Sequence, residues 1–216
     1  MTIKTADRYH HGDLREALLR AGEDVLSERG AAGFTLRECA RRAGVSHAAP
    51  AHHFGDAAGF LAELAAVGFD RMTDAMETRR VQSGPGSLAQ LDAIGRGYIA
   101  FAVQNRALFQ IMFRQDGIGV ASPNLQRAGG AAFGVLQATM ARVLAEHRPD
   151  QKPMPSLALA WSAVHGFATL LIERQLDGCL GQDGIADLET DLGGAMLNLM
   201  TGALAGPAVA GPGKKS

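Results

Sequence analysis

The chain has 216 residues, 20% of them charged and 47% apolar, with a formal net charge of −1, which allows one large or two modest folded domains and excludes a disordered or fibrous chain. A charge so close to zero also excludes a global basic field, so any contact with nucleic acid has to be local. The two cysteines, Cys39 and Cys179, are too far apart in sequence to build a disulfide framework or a four-thiolate metal site; a reducing, cytoplasmic setting without metal or other cofactor is expected.

Apolar residues recur at helical spacing almost throughout and strand-like alternation is hard to find, so the expected fold is all-α with about nine helices. Met1–Asp13 mixes Lys4, Asp7, Arg8, His10 and His11 without an apolar run, so no secretory signal is expected. The first helix is predicted from Asp13, where Glu16 completes a capping box, through Leu14, Leu18, Ala21 and Val25 to Gly30. Thr35 with Glu38 repeats that signature before a short second helix, Leu36 to Ala43, which ends at Gly44. A third runs through His52 to Phe54, with Pro50 as its weak point. Proline is tolerated only in a first turn, so either Ser46 caps an imperfect start or the regular helix begins near Ala49; of the two, the reading takes Ser46.

A fourth helix is predicted from about Ala57 to Thr78, before the break Ser83-Gly84-Pro85-Gly86. Ser87 is the expected cap of a fifth, and Asn105 of a sixth carrying Leu108, Phe109, Met112 and Phe113. After a loop, Gly117 to Pro123, a seventh helix ends near His147, an eighth spans Ser156 to about Leu176, and a ninth spans Gly184 to Ala203. The tail 206–216 is rich in Gly and Pro and is expected to be disordered. Pro153–Ile172 carries no Asp, Glu, Lys or Arg over about the length that crosses a bilayer. It also holds Trp161, Ser162, His165 and Gly166 and has no second span to pair with in lipid, so it reads as a helix covered by protein at a subunit interface, with no membrane partner.

Thr35–Phe54 has the plan of a helix-turn-helix: Ala40 lets two helices cross closely, Gly44 takes the turn and Val45 fills the space between them. Such a hairpin alone is more often packing than a DNA reader. From His11 to about Met72, however, the sequence resembles the N-terminal domain of the TetR family of repressors, through Glu28-Arg29-Gly30, Phe34-Thr35, Ala43-Gly44-Val45-Ser46 and His53-Phe54 in order. Trp161, His165 and Gly166 resemble the Trp-His-Gly element of one subgroup's C-terminal domains. The resemblance implies a three-helix head whose third helix enters the major groove, and a mostly helical body that dimerises and binds an inducer. In the six-helix body counted here, the uncharged eighth helix and the Leu/Met face of the ninth are the expected pairing surfaces. The expected division is therefore 1–56 for the arm and DNA-binding domain, 57–205 for the ligand-binding and dimerisation domain, and 206–216 for the tail. Ala51 and Ala57 stand where the family usually has a tyrosine and a lysine on phosphate, which lowers the expected phosphate affinity.

On that reading Thr35 and Ser46, at helix starts, and at least one of His52 and His53 contact phosphate, while His47, Ala48 and Ala49 face base edges. Lys4 and Arg8, with His10 and His11, precede the first helix as a possible arm on the DNA backbone. Phe101, Phe109, Met112, Phe113, Phe133, Trp161 and His165 are the expected lining of an apolar ligand pocket, with Trp161 as wall and His165 as polar hook; read plainly, they are a core with a satisfied histidine. The expected protein is a homodimeric regulator and no enzyme: a repressor released from a palindromic site on double-stranded DNA by a small lipophilic effector. Two other readings are a dimeric binding module with weak DNA affinity and a small all-α enzyme using His165 as base or His10, His11, His52 and His53 as a metal site. The enzyme reading has no nucleophile elbow, HExxH motif or phosphate-binding loop behind it.

Overall fold

In the computed structural model, residues 6–114, 122–177 and 192–205 are described, with side chains from Leu14 onward. Among them are nine α-helices, one 3₁₀ turn and no strand, so the chain is all-α. The helices are α1 (Ala6–Arg29), α2 (Leu36–Ala43), α3 (Ala49–Phe54), α4 (Ala57–Gln82), α5 (Ser87–Gln104), α6 (Arg106–Met112), α7 (Pro123–His147), α8 (Pro153–Ile172) and α9 (Gly193–Ala205).

Several ends differ from the sequence expectation, each for a local reason. α1 begins at Ala6, so Asp13 lies inside the helix and not at its start. No proline interrupts 6–12, and Gly12 alone costs a helix only about 1 kcal/mol. α3 begins at Ala49, not at a Ser46 cap. A helix started at Ser46 would need the N–H of residue 50 to reach the Ser46 carbonyl, and Pro50 has none; a start at Ala49 places Pro50 in the first turn, where no donor is required. The Ser46 carbonyl instead accepts from the Ala49 N–H at 3.0 Å, closing a turn.

Ser87 does not cap α5: the Gly86 carbonyl accepts the first helical bond, from the Gln90 N–H, and the Ser87 hydroxyl donates to Glu146 on α7. Asn105 holds the cap position of α6 without a side-chain cap bond. α8 starts at Pro153, not Ser156, and ends at Ile172 rather than Leu176, where Arg174 turns to φ 59°. Most of the expected loop 117–123, the start of the expected ninth helix and the tail from Gly206 lie outside the described residues.

The described chain packs as two compact units, one within Met1–Arg71 with Asn105–Ala131 and one within Met72–Gln104 with Ala132–Ser216. In the first, α1 turns Leu18, Val25 and Leu26 inward, and α2 to α4 add Cys39, Ala40, Pro50, Phe54, Phe60 and Leu64, all buried. Phe60 is the centre of an aromatic cluster, its ring 4.2 Å from Phe54 and 5.3 Å from Phe34, centroid to centroid. In the second unit α5 is the central helix, buried along most of its length and packed on α8 and α9. At Gly97 it crosses α4 so closely that a Cβ would stand 2.8 Å from both the Ala75 carbonyl oxygen and the Met76 Cα. Backbone cannot rotate away as a side chain can. Gly97→Ala is therefore expected to cost about 1–3 kcal/mol of stability, read as a lowered urea midpoint; an unchanged midpoint would contradict this packing.

Two helices, Pro123–His147 and Pro153–Ile172, are long and apolar enough to cross a membrane by length and composition. Within the single chain α8 has one buried face and one exposed face. It buries Leu157, Ala160, Val164, Phe167, Ala168 and Leu171, and leaves Met154, Leu159, Trp161 and Leu170 exposed.

Candidate functional site

The head is built around one turn. Thr35 caps α2, its hydroxyl accepting from the Glu38 N–H at 3.3 Å. At the other end Gly44 adopts φ 68°, ψ 29°, and the Val45 N–H returns to the Ala40 carbonyl at 3.0 Å. That left-handed residue reverses the chain within a few residues. The consequence is a division of α3 and its approach into two sides. Pro50 and Phe54, four apart, are buried and anchor the helix, while Ser46, His47, Ala48, Ala51 and His52 are exposed and Ala49 and His53 half-buried. The His53 ring lies edge-on to His52 at 5.6 Å and beside Phe54 at 6.1 Å, which places His53 as the more structural of the two.

Every expected DNA-facing residue from Thr35 to His53 thus belongs to this one hairpin. Lys4 lies outside the described residues, and Arg8, with His10 and His11, falls within α1 and not on an arm preceding it.

Electrostatics around the hairpin are dominated by a residue the sequence reading used only as a capping partner. The Glu38 carboxylate accepts from Arg29, from Arg41 by both Nε and Nη2, and from Arg42 by Nε, at 2.8–3.1 Å. Arg42 also forks onto Glu28. The guanidiniums of Arg41 and Arg42 hold the Glu38 carboxyl well below its usual range, at about 2. Because its folded value is depressed, its contribution to stability is complete above about pH 4.5 and is lost as pH falls from there towards 2. Acidifying from pH 6 to pH 3 should therefore lower the urea midpoint of the wild type more than that of Glu38→Gln; equal shifts would contradict the network. The spacing of Arg41 and Arg42, three and four residues after Glu38, was a readable signal for it. Arg37, exposed and without an ion pair among the described residues, has no acidic residue three or four positions away and is a phosphate candidate the sequence reading missed.

The expected ligand residues divide between the two units. Phe109 and Met112 are buried in the first, where the Phe113 ring lies 5.1 Å from Phe109 and 5.4 Å from Phe69. Phe101, Phe133, Trp161 and His165 belong to the second. There the Trp161 ring packs 5.5 Å from Phe133 and is 46% exposed. His165 is hooked, by a residue absent from the expected set: Tyr98 of α5 lies with its hydroxyl 2.7 Å from His165 Nδ1. Burial raises the Tyr98 phenol far above its usual range, with the Trp161 indole bonding it in the opposite sense, and burial lowers His165. Both groups are therefore neutral near pH 7, and the tautomer of His165 decides which of the two donates. A phenol on the inward face of an apolar helix needs a partner, and Tyr98, four residues after Ile94, carried that signal.

Residues 18–64 match the family described as bacterial regulatory proteins, tetR family, and residues 91–192 match the tetracyclin repressor-like C-terminal domain. The latter description is general, and the Trp161-His165-Gly166 element stays a resemblance to one subgroup. No curated protein matches. Among solved structures, a protein of unknown function from a Rhodococcus species is 31% identical over 92% of this chain and 98% of its own, with a TM-score of 0.76. The TetR family transcriptional regulator PfmR from Thermus thermophilus is 18% identical, covering 85% of this chain and 96% of its own, TM-score 0.62. The transcriptional regulator FadR from Bacillus subtilis, solved in complex with stearoyl-CoA, is 14% identical, covering 86% and 97%, TM-score 0.66. At such identities the last two show a shared fold.

Proposed function

The chain belongs to the TetR family of bacterial transcriptional regulators, and on that premise we propose that it works as a homodimeric repressor, leaving a palindromic DNA site when a small lipophilic effector binds. The observation that carries the reading is the hairpin: Gly44 turns the chain so that Pro50 and Phe54 stay inside while Ser46, His47, Ala48 and His52 stay outside. In the proposal His47, Ala48 and Ala49 meet base edges, the alanine methyls suiting thymine methyls, and Thr35, Ser46, His52 and His53 meet phosphate, with Arg37 added. Lys4 and Arg8 remain proposed backbone contacts. Residues 1–56 would serve as the DNA-binding domain, and 57–205 as the part that dimerises and binds the effector.

The second copy is proposed to cover the face that α8 and α9 leave open. Met154, Leu159 and Leu170 on α8 and Leu199 on α9 are exposed, Leu199 by 77%, and a patch of that kind marks an interface. For the effector, Phe101, Phe133, Trp161 and His165 are the proposed contacts in the second unit, with the Tyr98–His165 pair as the polar anchor; Phe109, Met112 and Phe113 stay among the proposed contacts. Such a protein would act in the cytoplasm and needs neither membrane nor catalytic chemistry.

The test is affinity for DNA from its own upstream region against a random duplex of equal length, by fluorescence anisotropy across a salt series. A regulator should prefer its own site by about 10³-fold or more and lose affinity steeply as salt rises. Equal affinity for both duplexes would leave a dimeric binding module.

A further inference from the structure

The second unit holds an open groove of about 490 Å³ that the regulator reading does not use. It lies among the last turns of α4, the first half of α5 and one side of α9, with Arg79, Gln82, Leu88, Ala93, Arg96 and Thr201 in its walls. Its charge is unbalanced. Arg96 is held by Asp92, also in the wall, at 2.7 Å, and Glu77, the acid nearest Arg79 in sequence, is engaged by Arg80. Arg79 itself makes no ion pair or side-chain hydrogen bond among the described residues, so the groove carries one uncompensated positive charge next to Leu88 and Ala93.

We propose that this groove binds a small organic monoanion, a carboxylate on a short hydrocarbon. The planar guanidinium of Arg79 matches a carboxylate with two parallel N–H donors, and the concave wall screens that pair less than open solvent would. Leu88 and Ala93 supply the apolar surface that a hydrocarbon chain covers. The Thr201 hydroxyl already donates to the Leu197 carbonyl at 2.9 Å and so offers an acceptor, not a donor. A dianion would call for a second free cation, and the charge of Arg96 is already answered by Asp92; the single negative charge follows from that arithmetic.

Octanoate titrated into the full chain with labelled Leu, Ala and Thr methyl groups tests this by NMR. Saturable shifts are expected at Leu88, Ala93 and Thr201, weakened at least tenfold by Arg79→Gln, an exposed position whose loss leaves the fold unchanged. Octanamide, neutral and of the same length, should not move these signals, and inorganic phosphate should move them less than octanoate. Unmoved signals, equal shifts with octanamide or with phosphate, or an Arg79→Gln titration like that of the wild type would each overturn the proposal. Shifts confined to Phe133 and His165 neighbours would place the anion at the effector contacts and overturn it as well.

Discussion

Gly44→Val should weaken sequence-specific DNA binding by about one to two orders of magnitude while leaving the dimer folded. Gly44 sits at φ 68°, ψ 29°, where a β-carbon collides with its own backbone and a β-branched residue is worst placed; the strain is of order 1–3 kcal/mol. A Cβ at this position would meet nothing within 4 Å, so the penalty is purely one of backbone conformation. The head can relieve it only by opening the turn, and an opened turn no longer holds Ser46 to His52 on the outside of the hairpin. Affinity for the specific site should then fall by about 5- to 150-fold, the strain converted at about 1.4 kcal/mol per tenfold. Gly44→Asn is the control, because asparagine tolerates the left-handed region, and it should retain most of the affinity. A valine variant that binds as the wild type does would show that the turn is not what presents the reading surface.

The second large effect is expected at the open apolar face. Leu159 is 49% exposed and Leu199 77% exposed, so glutamate at both positions adds charge to solvent in an isolated chain at little cost. In a dimer closed over that face the same charges would be buried without partners, which is strongly unfavourable. Leu159→Glu with Leu199→Glu should therefore convert a dimer of about twice the 22.6 kDa chain mass into a folded monomer by light scattering. Separated heads bind half-sites independently, and the loss of linkage should weaken the palindrome by about 10²–10⁴-fold. A double variant that stays dimeric would move the interface elsewhere, and a monomeric wild type would end the two-head reading.

What could be read from the sequence was what neighbouring residues decide. Thr35 with Glu38 and the glycine at 44 are signals spanning a few residues, and the structure has the expected cap and the expected turn. Asp13 with Glu16 has the same form as the Thr35 cap, yet nothing before Asp13 stops the helix, so the helix runs through it. Pro50 posed a true alternative that hydrogen-bond bookkeeping decides in favour of Ala49, a constraint already present in the sequence. Other features depend on partners far along the chain. Ser87 finds Glu146, 59 residues on, and Tyr98 finds His165, 67 residues on, and no periodicity reveals such pairs. The expected ligand residues were gathered by chemical type alone, and packing sorts them into two units. The Glu38 cluster was half visible: Arg41 and Arg42 lie at helical spacing from it, whereas Arg29 reaches it across the turn between two helices.

Residues 46–52 of each protomer are proposed to enter the major groove of a symmetric site. Dimethyl sulfate probing of guanine N7, which faces only that groove, tests it on the upstream DNA with the full-length dimer bound. Two protected clusters related by a two-fold axis, their centres separated by close to a whole number of helical turns, are expected. Unprotected N7 positions across a bound fragment, or one asymmetric cluster, would contradict it.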